Sequence, residues 1–429
     1  MAQRGSAAPQ RDDYDYDDEQ YYYYPETRVR RPQHKDREQA TLRPKLDILI
    51  GNIDMTLFFV VTILVIIGII MVLSASHARM AIVQDDAFYL LRRNIPFALF
   101  GFVAMNVAAR VHYVYLRKFV WVLYAGTVFF LVMVIVGGLA VGGATRWFEL
   151  PVIGQFQPSE LAKASVIFAV AHLVDKYPTA LKSWSNLFIF AGMVAVLVAL
   201  VWAPGGFSQG LIVGSIGFGM IFIASPYIWR FVVMGVSAVA GVAAYLGITA
   251  LLGTGFRGAR VMAWLDPWAD RGGRGVGYQI VQSLYAVASG GMFGEGIGQS
   301  MQASSIPEVH NDMIFAVIVE ELGLVGAGLI LLLFAIFIWR GIVVAMRAPD
   351  TFSSMIAIGI VFAIGFQAVI NVGVVTNTIP NTGVTLPFIS YGGTSLVVFM
   401  GLAGVLLNIS KYSKAEHAKR ATGAVDVRR

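Results

Sequence analysis

The stretch Pro307-Glu-Val-His-Asn-Asp-Met-Ile-Phe-Ala-Val-Ile-Val-Glu-Glu-Leu-Gly323 sets one carboxylate, Asp312, at the mouth of a strongly apolar helix. It sets two more, Glu320 and Glu321, inside that helix. A charge within a membrane span is costly, and such residues usually face the bundle interior or a polar cavity. At 1.5 Å per residue, Glu320 lies about 12 Å below Asp312 along the axis. Glu320 and Glu321 point about 100° apart, so the two cannot share one cavity. At least one of them therefore reads as structural. Asp312 reads either as a helix N-cap or as a carboxylate at a partly dehydrated pocket edge, where a raised pKa suits a general base.

The rest of the chain is of the same kind. Hydrophobic residues make up 57% and charged residues 14%, against roughly 25% charged in soluble domains. Apolar runs of about 16 to 27 residues are long enough to cross a bilayer. The expected fold is all-α, a polytopic membrane protein with ten transmembrane helices. The spans fall near 55–75, 94–109, 119–140, 159–174, 186–203, 207–224, 231–252, 313–339, 353–375 and 386–408. Ten is even, so both termini share a side. The basic loops carrying Arg110, Arg117, Lys118, Lys176, Lys182, Arg230, Arg340 and Arg347, with the basic flanks of the first and last spans, place that side in the cytoplasm. Arg79, Arg92 and Arg93 run against this count. The external loops are then Val141 to Pro158, a large one at 253–311 between helices seven and eight, and Thr376 to Thr385.

Residues 1–50 read as a disordered cytoplasmic tail, acidic and tyrosine-rich at Asp12 to Tyr24 and basic at Arg28 to Lys45. The first apolar run starts only near Met55, so the tail is not a signal peptide. Residues 51–412 form the membrane domain and 413–429 a cytoplasmic C-terminal tail. There is no cysteine, which excludes disulfides and thiolate chemistry. The six histidines show no metal-ligand spacing.

The polar motifs gather in the external loops. Gln157-Pro158-Ser159-Glu160-Leu161-Ala162-Lys163 opens the fourth span, with Pro158 suited to a helix start. Glu160 and Lys163 share a helix face. They read either as an ion pair orienting the helix or, with Arg146, as the wall of a pocket for an anionic head group, since the guanidinium fork suits phosphate. The large loop carries Arg257, Arg260, Asp266-Pro-Trp-Ala-Asp270 and Gly277-Tyr278-Gln279. An amphipathic helix follows and ends at Gly290-Gly291. Gly294, Gly296 and Gly298 lack the preceding strand and the GK[ST] of a nucleotide loop. A last motif, Gly383-Val-Thr-Leu-Pro-Phe-Ile-Ser-Tyr-Gly-Gly393, predicts broken backbone at membrane depth, tolerated where it is buried in protein or lines a cavity.

Together with Arg146-Trp147, Gln282-Ser283, Pro307-Glu308, Asp312-Met-Ile-Phe-Ala316 and Glu320-Glu-Leu-Gly323, these motifs resemble the SEDS family (shape, elongation, division, sporulation), which includes FtsW, RodA and SpoVE. The likeness runs from about Asp47 to Lys411. Thr385 and Leu73-Ser-Ala-Ser76 look more like FtsW or SpoVE than RodA. The resemblance implies a ten-helix glycosyltransferase that polymerises lipid II into peptidoglycan on the outer face of the bacterial cytoplasmic membrane. The implied partners are lipid II, undecaprenyl-linked glycan, a class B penicillin-binding protein and the divisome or elongation complex, with no nucleic acid.

It also implies that Asp312 is the catalytic acid and that Arg146, Glu160 and Lys163 lie at the central cavity. Arg257, Arg260, Gln279 and Ser390 complete the candidate substrate-binding set. Arg146, Lys163, Arg257 and Arg260 are the candidates for the leaving pyrophosphate, and a divalent cation, Mg or Mn, is an open addition. Two departures stand out. His310-Asn311-Asp312-Met313 replaces the usual His-Thr-Asp-Phe, and Ala203-Pro204-Gly205-Gly206 replaces a motif that carries an acid. A lipid II flippase or a division scaffold would fit the same intramembrane charges.

Overall fold

The helical content follows from the apolar runs. In the computed structural model, which describes residues 53–141, 144–150, 154–251, 256–269 and 276–421, helices occupy all ten expected spans. They are α1 (Met55–Val83), α2 (Tyr89–Arg110), α3 (Tyr113–Gly137), α4 (Pro158–Lys176), α5 (Trp184–Trp202), α6 (Phe207–Ala224), α7 (Ile228–Leu251), α10 (Ile314–Met346), α11 (Thr351–Val375) and α12 (Gly393–Ala421). Two further helices, α8 (Phe256–Leu265) and α9 (Val276–Ser289), lie between α7 and α10. Seven of the helices among the described residues are long and apolar enough to cross a membrane: α1, α3, α5, α6, α10, α11 and residues 393–412 of α12. The chain is a multi-pass membrane protein.

Local chemistry sets the helix starts. The Asp54 carboxylate accepts from Leu57 N at 3.2 Å to cap α1. Asp350 and Ser353 form a capping box on α11. Pro158 takes the first turn of α4, as expected. Asp54 N also donates to Ser410 Oγ at 2.9 Å, and the Asp54 carboxylate pairs with Arg340. The start of α1 and the ends of α10 and α12 therefore share one side of the bundle.

Two expectations need correcting. The first external loop is not wholly irregular: β1 (Leu139–Val141), β2 (Ala144–Leu150) and β3 (Gly154–Phe156) form an antiparallel sheet in that order. Leu139 pairs with Trp147 and Phe148 with Phe156. Among the described residues the fold is thus helical with one small sheet. The last span does not start at 386. Residues 386–392 are irregular, with Phe388 at φ 66°, and α12 begins only at Gly393. This turn packs on Gly68 of α1, where a Cβ would stand 2.6 Å from Phe388 O and 2.7 Å from Ile389 Cα.

The largest departure from a plain span is within α10. Gly323 has φ 69° and ψ −176°, a region reserved essentially for glycine. The break removes the helical bonds from Leu324 N to Glu320 O and from Val325 N to Glu321 O. The loop after α9 replaces both. Glu295 N and Gly296 N donate to Glu320 O and Glu321 O at 2.9 and 3.0 Å, while Leu324 N and Val325 N donate to Gly291 O and Met292 O at 3.0 and 3.1 Å. A Cβ on residue 323 would collide with the Met292 carbonyl and Gly294 N. The glycines Gly294, Gly296 and Gly298, all at positive φ, belong to this backbone insert. Gly323→Ala should therefore cost at least about 1–3 kcal/mol in backbone strain alone. The check is the melting temperature in detergent, which should fall, whereas an unchanged value contradicts the account.

Candidate active site

Asp312 stands in a turn, two residues before α10. The N-cap of α10 is Met313, with no side-chain capping bond, which removes the reading of Asp312 as a simple cap. Its backbone is fixed instead by α11: Asn371 Nδ2 donates to Asp312 O at 2.8 Å and to Val384 O at 2.7 Å. One amide thus ties the start of α10 to the glycine- and proline-rich 377–392 segment. The residue is partly exposed as a whole, but Oδ1 is enclosed with no hydrogen-bond partner. Oδ2 approaches Gly383, where an added Cβ would lie 3.5 Å away. Burial pushes the carboxyl up to about 6, with Glu308 adding to the rise, while its own backbone amide and the Arg260 guanidinium pull it back.

Arg260 and Gln279 reach the same place from α8 and α9. Arg260 Nη1 donates to Asn381 O at 3.3 Å. Asn381 Nδ2 donates to Gln279 Oε1 at 3.1 Å, and Asn381 Oδ1 accepts from Gly383 N at 3.1 Å. Gln279 Nε2 donates to Pro307 O at 3.4 Å. Trp264 and Asn377 exchange two side-chain-to-carbonyl bonds, at 3.1 and 3.3 Å. The two loop helices therefore clamp the 377–383 segment beside Asp312. Burial lowers the pKa of Arg260, and the Asp312 charge opposes that.

Glu160 and Lys163 lie deeper, at 1% and 0% exposure. Lys163 Nζ donates to both Glu160 oxygens and to Gln367 Oε1, each at 2.9 Å. Those are the three donors an ammonium has. Gln367 passes the contact on, with Nε2 donating to Thr385 O at 2.9 Å. Gln367 and Asn371 are four apart on one face of α11, and both are fully buried. Sequence reasoning missed them, although two amides at helical spacing in an apolar span were a legible signal. The pair Glu160–Lys163 thus supports the segment that flanks Asp312.

The other candidates lie differently. Arg146 on β2 donates to Gly205 O at 2.5 Å. It lines a crevice with Gln157, Ser159, Pro204, Gly206 and Gln209, a set that holds neither Asp312 nor Arg260. The Ser390 hydroxyl accepts from Leu386 N at 2.7 Å, a bond within its own turn. Arg257 lies on α8, but its side chain is outside the described residues, as is the tail 1–50. Among the described residues, no group of three or more His, Asp or Glu is placed to hold a metal.

Residues 54–415 match FTSW_RODA_SPOVE, the cell cycle protein family. The chain belongs to this family. It is 38% identical over 367 residues to stage V sporulation protein E of Bacillus subtilis, covering 84% of this chain and 98% of that one. It is 37% identical over 361 residues to the probable peptidoglycan glycosyltransferase FtsW of a Geobacter species, covering 83% and 96%. Among solved structures, it resembles a chain from work on how a peptidoglycan synthase complex coordinates polymerization and crosslinking. The TM-score is 0.70 at 26% identity, with 84% and 98% covered. The rod shape determining protein RodA of Thermus thermophilus matches at TM-score 0.60 and 25% identity, with 86% and 97% covered.

The buried pair yields a test. Lys163→Met leaves the Glu160 charge uncompensated, a loss of roughly 3–5 kcal/mol, whereas replacing both partners with apolar side chains of similar volume removes that penalty. The double variant Glu160→Leu/Lys163→Met should therefore melt higher than Lys163→Met alone. A double variant that melts lower than the single one contradicts a paired, saturated ammonium.

Proposed function

We propose that this protein is a peptidoglycan glycosyltransferase that polymerises lipid II, in the manner of the FtsW branch in cell division, with Asp312 as its general base. The observation that carries this reading is the Asp312 carboxylate. It is half-buried beside a guanidinium at the mouth of α10, with one oxygen enclosed and unpartnered. The names of the relatives supply the reaction class. The substrate carries its own leaving group, so the site needs no nucleotide.

The acceptor is lipid II and the donor the undecaprenyl-linked strand. Asp312 takes the proton from the acceptor GlcNAc 4-hydroxyl as that oxygen attacks C1 of the donor's terminal MurNAc. The C1–O bond to pyrophosphate breaks as the new bond forms on the opposite face, so the α-linked donor gives a β-1,4 product. Undecaprenyl pyrophosphate departs with the bonding pair. Arg260 is the best-placed cation for that charge, since Lys163 already uses its three donors. Preorganised charge of this kind stabilises a leaving anion. A divalent cation, Mg or Mn, is proposed as a further share of the same role.

The proposal places ten spans in the bacterial cytoplasmic membrane, both termini in the cytoplasm and Asp312 on the outer face. The shared side of Asp54 and Ser410 supports the even count. The three arginines that run against the charge count have local partners: Arg92 with Asp86 at 3.0 Å, Arg93 with Tyr89 Oη at 3.1 Å and Arg79 with Ile306 O at 3.3 Å. A class B penicillin-binding protein and divisome proteins are the proposed partners.

General-base catalysis is typically worth about 10²–10⁴-fold. Asp312→Asn should lower lipid II polymerisation in detergent by that factor while leaving the melting temperature near that of the wild type. A flippase would make no glycan in this assay, and near-normal polymerisation by the variant would sink the assignment. The pH dependence has a definite sign. A base with its pKa raised to about 6 is active when deprotonated. The rate should therefore fall as pH drops through about 6, well above the range of an ordinary aspartate. A rate flat from pH 7 to 5 contradicts the role.

A further inference from the structure

The mechanism above uses neither intramembrane glutamate, yet Glu320 makes the densest set of side-chain bonds around the catalytic turn. We propose that Glu320 is a positioning residue for the reaction: its buried carboxylate pins the start of the 300–312 segment and so fixes where Asp312 stands. This rests on Asp312 being the base. Glu320 is 1% exposed. Its carboxylate accepts from Ser300 Oγ, from Met301 N at 3.1 Å and from Gln302 N at 3.3 Å.

The consequence follows from connectivity. From Gln302 the chain runs through turns to Asp312 and then directly into α10, the helix that carries Glu320. The carboxylate thus closes a loop with Asp312 inside it. Four other hydrogen bonds reach that loop from outside, each a single bond to a carbonyl: Arg79 to Ile306, Gln279 to Pro307, Tyr391 N to His310 and Asn371 to Asp312. Glu320 instead takes three donors on one carboxylate, from Ser300, Met301 and Gln302. The break at Gly323 adds to it, because Glu320 O also accepts from Glu295 N at 2.9 Å. Glu321 holds the neighbouring strand of the same insert through Ser74, whose Oγ donates to it at 2.6–2.7 Å and accepts from Gly298 N at 2.8 Å. Its bonds reach α1 and the backbone at Gly298 and Ser300, short of Met301 and Gln302.

Glu320 touches no reacting atom, so its test needs readouts that a general loss of stability would not move. The chain has no cysteine, so Ser304→Cys in the full-length protein takes a single nitroxide on an exposed turn of the segment. Glu320→Gln should raise the mobility of that nitroxide. It should also lower kcat at least about tenfold, since misplacing a reacting group by 1 Å can cost about 10²-fold. KM should stay within about threefold, as expected for an interaction realised in the transition state. The acid limb of the pH profile should move down from about 6 as a loosened Asp312 is hydrated. The charges facing Asp312 are Arg260 from α8 and Glu308 from its own segment. Asn371 from α11 and Gly383 from the 377–385 segment do not titrate. None of these four is altered by the substitution.

Ser300→Ala removes one donor from the other side and should shift every readout the same way by less. It decides the matter alone if Glu320→Gln does not fold. Unchanged nitroxide mobility together with an unchanged acid limb overturns the proposal, whatever happens to kcat. If Asp312→Asn retains activity, the base reading falls, and the nitroxide then tests the pinning on its own.

Discussion

Backbone polar groups at membrane depth have no water to bond, so a broken helix there must find its partners within the protein. That constraint governs the structure around Gly323. The break frees two carbonyls and two amides of α10, and four backbone groups of the Gly291–Gly296 insert pair with them one for one. The insert is thereby built into the bundle, and its continuation, held by the Glu320 carboxylate, is the segment that delivers Asp312. A glycine, a loop and an acid that look unrelated in the chain are parts of one device.

A second polar seam completes the site. Gln367 and Asn371 on α11 connect the Glu160–Lys163 pair below to Thr385, Val384 and Asp312 above. Glu160, Lys163, Gln367 and Asn371 are buried, and most of the donors in the seam have a partner. Such networks stiffen a core when satisfied and are costly when half-broken. The seam therefore ties the ion pair of α4 to the turn that carries Asp312. From above, α8 and α9 close over the turn through Arg260, Gln279 and Asn381.

Much of this was legible in the sequence. Runs of apolar residues located the ten long helices, because span length is fixed by the bilayer, but not all their ends: α1 runs on to Val83, α10 to Met346, and α12 begins only at Gly393. The acid at the start of the eighth span and the broken backbone near Pro387 could also be read directly, since both violate the membrane's demand for apolar, helical chain. The β1–β3 sheet was missed because its strands are three to seven residues long, too short for a periodic signal. The break at Gly323 was missed because a lone glycine in a span usually marks close packing, and only the returning insert shows otherwise. Glu160 and Lys163 were correctly paired by their spacing. Their saturation through Gln367 depends on a residue more than 200 positions away, which local reading does not reach.

The proposed base must meet the attacking hydroxyl at Asp312. The most direct measurement is a structure of the Asp312→Asn protein holding lipid II as acceptor. It should place the GlcNAc 4-hydroxyl within about 2.6–3.2 Å of the residue 312 side chain, or one water away, as a general base requires. Lipid II bound with that hydroxyl facing another side chain, beyond the reach of residue 312 even through a water, would contradict it.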